Sequence, residues 1–97
     1  MIDIEALFEK FNDDDSYEFL EFERVVEPLA KRPDLCAFIL LDRLVPGTGD
    51  IVSAAGHDKI FLSVDVDELA AVATEADILT LVRCGVILDE GSLAMFT

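Results

Sequence analysis

Two hydrophobic periods occur in this one short chain, and together they narrow what it can fold into. Ile4, Leu7, Phe8 and Phe11 fall at i, i+3, i+4 and i+7, which sets four apolar side chains on one helical stripe and leaves Glu5, Glu9 and Lys10 outside it. Ile60, Leu62, Val64 and Val66 alternate with Phe61, Ser63, Asp65 and Asp67, the period of a strand with one face on a core. Each pattern leaves an apolar face that needs a covering layer. The expected class is α+β, with helices packed on one face of a small antiparallel β-sheet. A chain of 97 residues has room for one core, so residues 1–97 are read as a single compact domain.

Other segments fill in the outline. Phe19, Phe22, Val26 and Leu29 continue at helical spacing after Asn12-Asp13-Asp14-Asp15-Ser16, predicting a second helix over 17–29 with Pro28 near its end. Pro33-Asp34 suits a helix start, and the run from Leu35 to Leu44 is apolar on nearly every face, which predicts a central helix buried all round. Pro46-Gly47-Thr48-Gly49 stops it. Ile51 to Ala55 reads as a short helical turn over the core. Beyond the strand, Asp67 opens a helix carrying Leu69, Val72 and Ala73. Thr74-Glu75-Ala76-Asp77 resembles a capped start for another helix reaching Cys84, with Asp77 where a capping box has Glu or Gln, and Gly85 fits its left-handed end. Val86-Ile87-Leu88 and Leu93-Ala94-Met95-Phe96 flank Asp89-Glu90-Gly91-Ser92, a C-terminal hairpin.

The charge separates this chain from most function classes. It carries a formal net charge of −14, yet 53% of its residues are hydrophobic and its mean hydropathy is +0.42. Disordered acidic tails are poor in apolar residues, so this is a folded domain with an acidic coat. Seven bases against 21 acids cannot neutralise a phosphate backbone, which excludes direct nucleic-acid binding, and anionic membrane surfaces repel such a chain as well. A basic protein partner suits it. The acids fall into two lobes, residues 1–27 with ten acids against two bases and residues 58–97 with eight against two, around a balanced apolar middle. Asp3, Glu5 and Glu9 stand where a signal peptide would be basic and then apolar, and the apolar run Leu35 to Leu41 is far below the ~18 residues of a membrane span. The expected location is cytoplasmic.

Catalytic and metal motifs read as structural ones. Asn12, Asp14, Ser16, Glu18 and Glu23 match positions 1, 3, 5, 7 and 12 of a twelve-residue calcium-binding loop, but Tyr17 stands where its sharp turn needs Gly, and the first position lacks a carboxylate. That loop reads as a solvated turn. His57-Asp58 is the one histidine-containing pair, and acid–base or metal chemistry there needs further groups converging from elsewhere, so a loop residue is expected. Cys36 and Cys84 lie in apolar stretches and read as buried free thiols. No cofactor or enzyme activity is expected.

Asp50-Ile51-Val52-Ser53-Ala54-Ala55-Gly56-His57-Asp58 and Leu81-Val82-Arg83-Cys84-Gly85-Val86 resemble segments of small accessory proteins encoded by bacteriophages and other mobile elements. The resemblance implies the host-cell cytoplasm as location. It also implies a class that includes acidic inhibitors of host nucleases and of CRISPR effectors, some acting as DNA mimics. It carries over no functional residue.

The functional expectation is a protein-binding inhibitor or modulator of a basic, nucleic-acid-handling effector. Its expected contact residues are Asp13, Asp14, Asp15, Glu18 and Glu21, the densest acidic patch, with the second lobe around Asp65, Asp67 and Glu68 as the alternative. A second reading makes the chain a structural or regulatory domain that docks through its apolar middle, on a partner or on a second copy to form a homodimer. The weakest is a small enzyme or metal-binding protein using His57.

Overall fold

The computed structural model describes residues 2–12, 25, 29–56, 58–89 and 91–96. Helix α1 spans Ile4–Asn12 and starts on Asp3, whose Oδ1 accepts the Ala6 amide at 3.1 Å. Its stripe works as its spacing requires: Ile4 and Phe8 are buried, and Leu7 and Phe11 pack against the same core. The predicted helix over 17–29 falls largely outside the described residues. Two residues within that range are described, and neither is helical: Val25 lies in irregular backbone and Leu29 in a bend.

Helix α2 spans Pro33–Leu44, with Pro33 in its first turn and the Asp34 Oδ1 accepting the Leu35 amide at 2.9 Å. It is not buried all round. Cys36, Ala37 and Leu41 are buried, Phe38, Leu40 and Leu44 are half-buried against the core, and Leu35 is 45% exposed together with Asp34, Asp42 and Arg43. The helix lies over one side of the fold, so its apolar run exceeds the area that the core can cover.

The segment expected as a helical turn at Ile51–Ala55 is instead strand β1, Val52–Ala55, paired antiparallel with β2, Lys59–Leu62. The Gly56 amide donates to the Lys59 carbonyl at 2.6 Å at the connection between the strands. The register shifts between Val52 and Ala54, a bulge on an edge strand. Strand β2 stops at Leu62, before the Val66 that the alternation reaches. The chain turns there because Asp65 caps helix α3, Val66–Val72: its Oδ1 accepts the amides of Asp67 at 2.8 Å and Glu68 at 3.1 Å. The helix therefore starts one residue before Asp67.

Helix α4 spans Glu75–Arg83 behind a complete Thr74/Asp77 capping box, and Gly85 takes φ +96° just beyond its end. Strands β3, Val86–Asp89, and β4, Ser92–Phe96, form the C-terminal hairpin, with Gly91 at φ +83° in its turn. The four strands are ordered β1-β2-β4-β3 and are antiparallel throughout. Leu62, Met95, Leu93 and Val86 of the sheet's inner face share one core with Ile4, Phe8, Cys36, Leu41, Leu69, Ile78 and Leu81 of the helices. This is the α+β arrangement expected, helices over one face of the sheet. On the opposite face Phe61, Ala94 and Ile87 line up across β2, β4 and β3, and Lys59 reaches Asp89 at 2.7 Å. Among the described residues no helix is long and apolar enough to cross a membrane.

Candidate protein-docking site

Where α2 ends, Val45 to Ile51 form a loop that folds back on the passage from β2 into α3. Gly49 adopts φ +94°, a conformation costly for residues with a Cβ. Ser63 fastens the loop at its far end: its Oγ donates to the carbonyls of Asp50 at 2.7 Å and Ile51 at 3.1 Å, and its amide to that of Ile51 at 2.7 Å. Asp65, two residues on, is held by its capping duty to α3.

Between these segments lies a cleft of about 200 Å³. Its acidic lining comes from three places in the chain: Asp42 from α2, Asp50 from the loop, and Asp65 and Glu68 from the start of α3. All four are exposed, and among the described residues none of them is ion-paired and no cationic side chain lines the cleft. Val45, Pro46, Ile51 and Val64 add apolar walls. Such a surface offers charge to an amine or guanidinium, apolar contact to the stem that carries it, and loop carbonyls as further acceptors. Among the described residues no three potential metal ligands come together. Spread around a cleft, these carboxylates suit a long side chain or an extended basic segment.

The residues singled out from the sequence divide unevenly. Asp13, Asp14, Asp15, Glu18 and Glu21 lie outside the described residues, as does His57, while Asp58 is exposed in a bend. Of the second lobe, Asp65 and Glu68 line the cleft; Asp67 is exposed beside them and donates its amide to Asp65. Asp42 and Asp50, from the balanced middle, line the cleft as well and belong to neither acidic lobe. Their local signal was thin, since Asp50 looks like turn punctuation and Asp42 like the outer face of a helix.

Cys36 and Cys84 are both fully buried in the core, as expected. Burial pushes the Cys84 thiol from its ordinary 9.0 up to about 12, and Cys36 adds to this. Such a thiol is a poor nucleophile while the core stays closed. Comparison with family models, with curated proteins and with solved structures finds no match.

Proposed function

We propose that this chain is a protein-binding inhibitor or modulator that docks on a basic, nucleic-acid-handling partner and catalyses no reaction. The observation behind this reading is the cleft of Asp42, Asp50, Asp65 and Glu68, lined by no described cation, on a chain of net charge −14. A partner that handles nucleic acid presents Lys and Arg in a groove shaped for phosphates, and this surface offers them carboxylates instead. The resemblance to phage-encoded accessory proteins points the same way. Long-range steering then speeds encounter, and the cleft fixes register through one or more basic side chains.

The test is capture of proteins from a bacterial lysate by the immobilised chain at low salt, with mass spectrometry of what binds. The variant Asp42→Asn/Asp50→Asn/Glu68→Gln keeps Asp65 as the α3 cap. The expected result is a set of basic, nucleic-acid-binding proteins whose capture is lost in the variant and at elevated salt. Capture that survives both changes would transfer the site to an apolar surface.

A further inference from the structure

The sheet has two edges, β1 and β3. Helices α1 and α4 pack against β3, whereas among the described residues β1 packs closely on β2 alone. The Ile51 carbonyl accepts from the Ser63 amide, and the Gly56 amide donates to the Lys59 carbonyl, so both groups face the β2 side. Backbone groups alternate in direction along an extended strand. Those of Val52 and Ala55 therefore point the other way, where no strand lies. Ser53, Ala54, Ala55 and Gly56 are all exposed, and from Ile51 to Gly56 the chain carries no charge and no proline. Natural edges are blunted by charge, proline, a bulge or a covering element. On β1 the bulge between Val52 and Ala54 stands by itself, and it leaves a short pairing template in place of a long flat one.

We propose that β1 is the docking edge for an extended segment of the basic partner, which joins the sheet antiparallel to β1 and sets a Lys or Arg at its C-terminal end against the acidic cleft. This inference rests on the docking reading above and adds the form in which the partner binds. The edge and the cleft meet at one place: Asp50 and Ile51 lead directly into β1 and also line the cleft, with Asp42, Asp65 and Glu68 around it. A strand antiparallel to β1 runs toward Asp50, at the usual spacing of about 4.8 Å. The residue after its last paired one then brings a basic side chain within reach of these carboxylates. Main-chain pairing supplies affinity, the small side chains of Ser53, Ala54 and Ala55 leave room for those of the added strand, and the cleft selects for a cation. A second copy of this chain fits the edge less well, because it brings its own Asp50 and a net charge of −14.

The test uses the full chain and labelled peptides, read by fluorescence anisotropy at low salt. The parent peptide is a short run of alternating valine and threonine that ends in a pair of arginines. A second peptide carries the arginines at its start, and two more are the parent with N-methyl groups on one or the other alternate set of strand amides. The parent should bind, and the reversed peptide at least about tenfold more weakly. One methylated peptide should lose at least about tenfold and the other little, since only alternate amides face β1. Ala55→Pro removes an outward amide and no bond to β2, so it should weaken the parent peptide similarly with its melting curve retained. The methylated pair decides without any change to the protein. Equal binding by that pair, equal binding by the reversed peptide, or no binding by the parent overturns strand addition. The docking reading stands apart from these outcomes if lysate capture is still lost in Asp42→Asn/Asp50→Asn/Glu68→Gln. Parent-peptide binding unchanged in that variant removes the cleft and overturns both. A dimer of the chain that sediments as such and is broken by Ala55→Pro gives the edge to a second copy and overturns the proposal as well.

Discussion

Thr74 and Asp77 each satisfy the other's backbone: the Thr74 hydroxyl oxygen accepts the Asp77 amide at 3.2 Å, and the Asp77 Oδ2 accepts the Thr74 amide at 2.9 Å. The pair turns the chain from α3 into α4 without leaving those amides of the new helix start unmet. Thr74→Ala is expected to cost about 1 kcal/mol in urea unfolding, and Asp77→Ala a similar amount. Because the two residues act on one helix start, the double variant should lose less than the sum of the single losses. Strict additivity would mean that the two hydrogen bonds are independent.

Two ion pairs differ in environment and should differ in worth. Lys59 and Asp89 meet at 2.7 Å with side chains 25% and 31% exposed, whereas Lys10 and Glu75 meet at 3.2 Å at 65% and 60%. Solvent screens the second pair and leaves two long side chains to be ordered for little return. Double-mutant cycles should give about 1 kcal/mol of coupling for Lys59–Asp89 and under about 0.5 kcal/mol for Lys10–Glu75. Equal couplings would show that partial cover by the sheet face does not strengthen the first pair.

The elements legible in the sequence are those whose cause is local. The α1 stripe, the Thr74 cap, the Gly85 stop and the C-terminal hairpin each fit within a window of a few residues, and each forms. Strand β1 was not legible, because Ser53, Ala54 and Ala55 carry no period and all three are exposed; their extended state comes from pairing with β2. The cover of α2 depends on how much core lies beneath it, which composition does not encode. The cleft was half legible. Asp65 and Glu68 belong to a visible acidic lobe, but Asp42 and Asp50 join them only through the α2 packing and the Ser63 clasp on the loop.

The sidedness of α2 gives a direct comparison of two leucines on one helix. Leu41 is fully buried and Leu35 is 45% exposed. Leu41→Ala should cost about 2–5 kcal/mol through lost transfer energy and the cavity left behind. Leu35→Ala should stay within about 0.5 kcal/mol, since the site is at the surface and Ala favours the helix. Chemical denaturation of the two variants decides it, and comparable losses would mean that the helix is enclosed on both sides.

Alkaline pH should expose the buried thiol. The Cys84 pKa rises from 9.0 in its ordinary state to about 12 in the fold, because burial penalises the thiolate and Cys36 adds to the penalty. Between those values the unfolded chain has released a proton that the folded chain still holds, so stability falls as pH rises. The contribution is fully present below about pH 9 and declines toward pH 12, by up to about 1.4 kcal/mol per unit. Other groups titrate in the same range, so the quantity to read is the difference in slope between the parent and Cys84→Ala, measured by urea unfolding under reducing conditions. The variant should start less stable, from the lost packing, yet lose less with each step upward in pH. Parallel slopes would mean that Cys84 ionises in the folded protein about as readily as in the unfolded chain, and that the core around it admits water.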